Sequence, residues 1–426
     1  MTAPALYLGI DFGTSGCRAI VIDDQRRQVA RADQKLPPPD RDGDQISQDP
    51  ALWWNALTSC LAELAGGCDL GQVRRIAIDG TSATVLLCTS DGTPLSPALM
   101  YNDRRARQQA NRIAASAPAD SAAVSASSSL AKVMWLIGQL PDTADALIQH
   151  QADWISGRLT GDFSRSDYNN ALKLGFDAQQ LAWPEWLSTL GVSRQQLPTV
   201  VAPGEVLGTL QPEIADTLGL NRQTQVVAGT TDSVAAFLAS GAREPGDGVT
   251  SLGSTLVLKI LSDTPVFSAA HGVYSHRLGD RWLVGGASNS GGAVLKQYFS
   301  SEALAELTPR LDPDAATGLD YYPLVGRGER FPINDPELAP RIDPVPEDRV
   351  VFLQALLEGI TRIEQRGYAL LTELGAPTLR RVFTTGGGSV NTAWTQLRKK
   401  QLGVPVDEAV SADAAFGTAL LALGGA

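Results

Sequence analysis

Two segments about half a chain apart follow one plan. Residues 5–10 and 17–22 are apolar or β-favouring, and Asp11-Phe12-Gly13-Thr14-Ser15-Gly16 joins them. Residues 249–261 repeat the design around Gly253-Ser254-Thr255. Each segment reads as a strand, a tight turn of small residues and a second strand. A repeat at this distance describes either two related halves of one fold or two ordinary hairpins.

The rest of the chain alternates strand-like and helix-like stretches, which is the pattern of an α/β protein. Residues 74–88 form a strand, a loop around Asp79-Gly80-Thr81-Ser82 and a second strand. Residues 103–150 are Ala-rich and read as helical. Residues 224–241 read as a strand, the turn Gly229-Thr230-Thr231-Asp232, and a helix starting at Asp232 or Ser233. Prolines crowd residues 309–348, so that stretch is expected to be an extended surface arm. A long helix follows over about 348–374. Arg381–Thr385 then reads as a strand running into Gly386-Gly387-Gly388, with a helix from about Asn391.

Charge and cysteine content narrow the function classes. The formal net charge is -11, with 46 acidic against 35 basic side chains. Such a surface disfavours nucleic acid or an anionic membrane as the main partner. It leaves room for a phosphorylated ligand, because turn N–H groups alone can cradle phosphate. Cys17, Cys60, Cys68 and Cys88 contain no C-x-x-C pair, and the His residues lie far from them. Neither a zinc site nor a disulfide framework is expected, and a reducing cytoplasm is the natural compartment. Met1-Thr2-Ala3-Pro4 carries no basic leader stretch, and no run approaches the roughly 18 apolar residues of a membrane span.

Four small motifs could carry chemistry, and each has a plainer reading. Gly13-Thr14-Ser15 could bind an anion with Asp11 holding a hydrated Mg²⁺, or could be a hairpin turn with a capping Asp. Gly253-Ser254-Thr255 matches it, and if the two halves face one another the two turns grip a polyphosphate from opposite sides. Asp232 closes a strand and opens a helix, so it could accept a proton from an attacking hydroxyl or serve as an N-cap. Gly386-Gly387-Gly388 permits flat contact with a planar ring such as adenine, or simply gives a flexible connection. Trp394 lines such a pocket or belongs to the core. Neither a G-x-x-x-x-G-K-[ST] loop nor the H-R-D and D-F-G motifs of protein kinases are present.

Taken in order, these residues resemble the FGGY carbohydrate kinase family. Leu8–Ser15 looks like its first phosphate motif and Ala131–Leu136 like its internal signature helix. Gly229–Asp232 looks like the segment carrying the catalytic Asp, and Ser251–Thr255 like the second phosphate motif. Gly328-Glu329-Arg330 with Pro332 resembles the G-E-R-x-P loop, Glu358-Gly359-Ile360 the second signature, and Gly386–Ser389 the adenine-site glycines. The resemblance implies an α/β, two-domain actin-like fold (ribonuclease H-like, ASKHA) with the active-site cleft between the domains. It places residues 1–238 with 412–426 in an N-terminal, sugar-binding domain that carries the first phosphate motif. Residues 239–411 then form a C-terminal, ATP-binding domain.

The same resemblance assigns roles. Asp232 becomes the catalytic base and a sugar contact, and Asp11 sits near Mg²⁺ and the sugar. Gly13, Thr14, Ser15, Gly253, Ser254 and Thr255 would meet the phosphates of ATP. Gly386, Gly387, Gly388, Asn391 and Trp394 would meet its adenine. Within the family the chain looks most like short pentulose kinases associated with D-ribulose. Ile78–Ala83 stands where typical xylulose kinases carry a G-Q-M-H-G-type sugar loop. The loss of the Met-His pair points away from D-xylulose and towards D-ribulose, with Ser82 either contacting a sugar hydroxyl or satisfying its own turn. The alternatives are a kinase for D-xylulose or another polyol, and a non-enzymatic actin-like ATP switch.

Overall fold

The computed structural model describes residues 5–424. Met1 to Pro4, in which no leader sequence is read, lie outside the described residues, as do the last two residues of the segment 412–426. The chain divides into two compact units. One comprises Met1–Ala239, Arg277–Gly279 and Asp413–Ala426, and the other Ser240–His276 and Asp280–Ala412.

The first unit is built on a six-stranded sheet. Its order is Gln28–Lys35, Gly16–Asp23, Leu6–Phe12, Val73–Gly80, Gln225–Thr231 and Val206–Thr209. Leu6–Phe12 pairs antiparallel with Gly16–Asp23, as the tight turn requires, and parallel with Val73–Gly80. The second pairing is parallel because the chain returns through the helix Pro50–Leu64. The central strands are buried on both faces, which explains their near-continuous apolar sequence. Leu8 and Ile10 point to the face where Trp53, Leu57 and Leu61 pack, each buried aliphatic contributing about 1.5–3 kcal/mol. The opposite face takes the helix Ala414–Leu423, whose sequence is apolar nearly all round because it is buried nearly all round. That helix lies so close that a Cβ on Gly9 would stand 2.1 Å from Ala415 O and Ala419 N.

The second unit repeats the arrangement. Arg281–Ser288, Leu256–Ser262, Asp247–Leu252, Arg381–Thr385 and Val406–Glu408 run side by side in that order. The first three are antiparallel neighbours, and the last two join parallel, as in the corresponding strands of the first unit. The repeated hairpins at 5–22 and 249–261 therefore open two sheets of one topology. Beneath the second sheet lies a buried ion pair. Arg398 donates from Nε and Nη2 to the two carboxylate oxygens of Glu364, at 2.7 and 2.6 Å, with both side chains almost fully enclosed. Thr384 Oγ1 accepts from Arg398 Nη1, and Thr250 Oγ1 donates to Glu364. The cluster pins the helices Arg349–Glu373 and Thr392–Leu402 to the two central strands.

Two expectations need correction. Residues 103–150 are not one helical block. Helices span only Arg107–Ala114 and Ser129–Gln139, and Leu147–His150 is a strand paired with Val85–Cys88. Between the helices, Ser121 and Ser125 accept from nearby backbone amides and so compete with helix formation after Pro118, while Ser128 caps the helix that follows. The proline-rich stretch 309–348 is irregular but is not merely a surface arm. Tyr321, Leu324 and Phe331 are buried, and Glu329 accepts from Ser288 Oγ, Asn289 N and Tyr322 Oη. Proline removes backbone donors, yet its neighbours remain free to insert apolar side chains.

The ion pair makes a testable demand. Removing one partner leaves a buried charge without compensation, at about 3–5 kcal/mol. Arg398→Met should lower the free energy of the second unit's unfolding, read from urea titration, by that amount, and a loss under about 1 kcal/mol would contradict the role given to the pair.

Candidate active site

Parallel pairing in register brings two carboxylates together. Asp11 lies opposite Asp79, and Asp79 lies opposite Thr230 on the next strand, two residues before Asp232. Asp11 is 4% exposed and Asp79 fully buried. The two carboxyls are hydrogen-bonded to each other. Burial is the main cause that pushes Asp11 up to about 6. The hydrogen bond from Asp79 opposes this rise, Asp232 adds to it, and Arg18 opposes it from 3.4 Å. Burial and the neighbouring Asp11 hold Asp79 well above the usual carboxylate range, although Thr418 donates to it from the helix Ala414–Leu423. Asp79 was passed over in the sequence. Its signal was there: Ile78-Asp79 repeats the strand ending Ile10-Asp11.

Asp232 opens the helix Asp232–Ser240, and its Oδ1 accepts from the adjacent Ser233 N at 2.7 Å. The strand leading to it is held by a short helical turn, Tyr168–Ala171. There Asn169 donates to Thr230 Oγ1 and Asn170 to Thr230 O. Buried polar atoms near these groups have no partner among the described residues: Asp79 Oδ1, Ser82 Oγ, Gln151 Nε2, Asn169 Oδ1 and Thr231 Oγ1. Uncommitted buried donors and acceptors of this kind call for a ligand or water. Ser82 does not satisfy its own turn. That task falls to Thr81, whose amide and hydroxyl bond to Gln151 Oε1 at 3.0 Å and whose Oγ1 meets Thr84 Oγ1.

The hairpin turn before Cys17 commits one amide internally, Gly13 N donating to Gly16 O at 2.9 Å. Thr14 is half-buried and Ser15 exposed. Cys17 and Cys60 sit behind the turn as free thiols with sulfurs 3.7 Å apart.

In the second unit a cavity of about 690 Å³ gathers many of the residues singled out from the sequence. Gly253, Ser254, Gly387, Gly388, Asn391 and Trp394 line it, together with an apolar wall that includes Leu295, Leu304 and Val390. Thr255 and Gly386 do not reach it. Asn391 is also an N-cap, its Oδ1 accepting from Trp394 N, and Trp394 is a core residue whose Nε1 donates to Thr361. Trp394 is therefore a core residue that also borders the cavity. An apolar slot with polar groups at one end suits a planar heterocycle carrying an anionic tail. Among the described residues, no three or more His, Cys, Asp or Glu are disposed to hold a metal ion by themselves. No described helix is long and apolar enough to cross a membrane.

The profile of the FGGY family of carbohydrate kinases, N-terminal domain, matches residues 6–239, and that of the C-terminal domain matches residues 248–426. The xylulose kinase of Escherichia coli is 25% identical, over 98% of this chain and 89% of its own. The xylulose kinase of Streptomyces coelicolor is 28% identical, over 94% and 84%. Among solved structures, a "xyloylose kinase" from Brucella ovis aligns with a TM-score of 0.88 at 26% identity, covering 98% of this chain and 90% of that one. Plasmodium falciparum glycerol kinase with ADP aligns at 0.87 and 18% identity, over 98% and 89%, a likeness of fold alone. The two-domain, actin-like α/β fold expected from the sequence is the fold observed.

The cavity offers a clean test. A Cβ on Gly387 would meet nothing within 4 Å, whereas one on Gly388 would strike Trp394 at 2.7 Å. Gly387→Trp should therefore fold normally and fill the cavity, weakening ATP binding at least about tenfold by calorimetry, a cost of about 1.4 kcal/mol. Unchanged affinity in the folded variant would place the nucleotide elsewhere.

Proposed function

This chain belongs to the FGGY family of carbohydrate kinases, and on that premise we propose that it transfers the γ-phosphoryl group of ATP to a hydroxyl of a pentulose. The observation that carries the reading is the furnishing of the first unit. Asp11 and Asp79 stand side by side there, with Asp232 acting on both electrostatically, beside buried hydroxyl and amide groups without a partner among the described residues. A small neutral molecule bearing several hydroxyls supplies the missing donors and acceptors. Asp232 takes the proton of the attacking hydroxyl, and Asn169 and Asn170 fix the strand end from which it projects.

Nucleotide belongs in the second-unit cavity, with adenine against the apolar wall and phosphates towards Gly253 and Ser254. With the Gly13 amide already committed, Thr14 and Ser15 supply the remaining donors of the first phosphate turn. Asp11 suits a hydrated Mg²⁺ brought in with ATP. It offers a hard carboxylate oxygen, and Mg²⁺ typically takes only one or two carboxylates besides water and phosphate. When bound, the ion offsets charge on the phosphates. Most of the rate enhancement then comes from positioning and electrostatics. A non-enzymatic ATP switch, the other class weighed from the sequence, has no use for a carboxylate cluster furnished in this way.

The sugar has two readings. The relatives named above are xylulose kinases, which favours D-xylulose over the D-ribulose expected from the loop Ile78–Ala83. D-ribulose keeps one specific observation, the buried and unpartnered Ser82 Oγ in the place of the missing Met-His pair. The two sugars differ only in configuration at C3, so a single fixed hydroxyl can decide between them.

A coupled ADP-release assay across ketopentoses, glycerol and gluconate should show pentuloses turned over best. D-xylulose is expected to lead, and a higher kcat/KM for D-ribulose would hand the assignment to the second reading. Asp232→Asn should cut kcat by about 10²–10⁴ and leave ATP affinity near normal; a variant retaining over about a tenth of the rate would remove Asp232 from the chemistry. Ser82→Ala should lower kcat/KM up to roughly tenfold for the preferred pentulose, with the ATP KM constant. Untouched sugar kinetics would show that Ser82 meets no substrate hydroxyl.

A further inference from the structure

Lys132 is an unusual buried cation. It lies in the helix Ser129–Gln139, is wholly enclosed, and forms no ion pair within 4 Å among the described residues. Its Nζ donates instead to two backbone carbonyls, Ala83 O at 2.5 Å and Met100 O at 2.9 Å. Buried lysines ordinarily sit against a carboxylate, because an unpaired ammonium is costly to desolvate. Here two of its three N–H donors are spent on two loops. One is the loop after Val73–Gly80 that carries Ser82, and the other is the turn after Ala98–Leu99 that carries Asn102.

The first loop is strained at the point Lys132 touches. Ala83 has φ +70°, in the left-handed region that a residue with a Cβ avoids. The far side of the same loop is tied by Gln151, also fully buried, through Thr81. Between these two ties sits Ser82, whose Oγ is buried and unpartnered. Across the nitrogen, Asn102 Oδ1 is likewise buried and unpartnered. Since Ala83 O and Met100 O share one donor, the two loops lie within two hydrogen-bond lengths of each other. Burial lowers Lys132 to about 7. Asp103 opposes the fall, while Lys173 and Arg105 add to it. A neutral amine still donates two hydrogens, so either protonation state holds both carbonyls.

We propose that Lys132 is a positioning residue for the sugar: it holds Ala83 in its strained conformation and fixes the Asn102 turn against the Ser82 loop, so that both side chains face one substrate. The inference rests on the pentulose reading given above. It adds Asn102 to the groups that recognise sugar hydroxyls, and it gives a buried lysine a role in KM rather than in chemistry.

The test is a set of variants assayed with the preferred pentulose and with ATP. Lys132→Met should raise the pentulose KM about 10- to 100-fold, the size expected for losing hydrogen bonds from a charged donor. The ATP KM should stay within about twofold. Adding Ala83→Gly to Lys132→Met should recover several-fold in pentulose KM, because glycine takes positive φ without strain. A lysine that merely supports the core would not respond in this way. Should Lys132→Met not fold, Lys132→Gln, which keeps an amide donor, replaces it in the same pair with Ala83→Gly. An unchanged pentulose KM, an ATP KM that rises in step, or a folded double variant without recovery would overturn the proposal while leaving the kinase reading intact. A wild-type enzyme inactive on every pentulose would overturn both.

Discussion

Everything in the first unit follows from one in-register parallel pairing. Once Leu6–Phe12 lies beside Val73–Gly80, Asp11 and Asp79 must stand next to each other at the strand ends. Two carboxylates this close, and this buried, cannot both be charged at low cost. The surroundings answer the crowding in three ways. The pair shares a hydrogen bond, Thr418 reaches in with a hydroxyl, and Arg18 stands at the rim. Sheet geometry, not a local loop, therefore decides where the charge sits. The loops then add what the strands cannot, namely uncommitted hydroxyls and amides.

The second unit solves a different problem. Its cavity needs an apolar wall that does not collapse into it. Part of the lining, Leu353 and Trp394, stands on the helices Arg349–Glu373 and Thr392–Leu402, which Arg398 and Glu364 tie together from beneath, and Trp394 is further anchored through Thr361. A site built on rigid elements keeps its shape when empty. Two short motifs that resembled family signatures prove structural here. Glu329 ties the proline-rich stretch to the end of Arg281–Ser288, and Glu358 holds Thr317 by its amide and hydroxyl. A carboxylate in a recurring motif can thus be an anchor for backbone donors rather than a reactive group.

Sequence reasoning saw what is local. The two glycine hairpins, the strand ending at Thr231, the helix opening at Asp232 and the helix start near Asn391 are all set by nearest-neighbour chemistry, and the structure has them where the residues suggested. It failed where tertiary contacts decide. The Ala-rich stretch 103–150 has helical composition, but the side chains of Ser121 and Ser125 and strand pairing at Leu147–His150 override it. Asp79 looked like a turn residue because its partner, Asp11, is 68 positions away in a neighbouring strand. Lys132 stood in the signature-like segment Ala131–Leu136, but nothing in that segment said what the lysine does. Its meaning lies in two carbonyls, and backbone acceptors leave no trace in a sequence. The sugar is hardest to read for the same reason, since one hydroxyl's orientation separates two epimers.

The helix Ala414–Leu423 has a further consequence for how the molecule is made. It fills the groove over Gly9 and supplies the hydroxyl that Asp79 uses, yet the ribosome delivers it only after residues 240–412 of the other unit. The first unit's sheet is thus translated early and completed late. Until the helix arrives, the face of Leu6–Phe12 that carries Gly9 stands uncovered, and Asp79 lacks the Thr418 hydroxyl. Contacts spanning such a sequence distance are slow to form, and nascent apolar surface is the usual target of chaperones. The second unit also pairs strands far apart, Asp247–Leu252 with Arg381–Thr385, but both lie within its own stretch of chain. The first unit is therefore the earlier to be begun and the later to be completed.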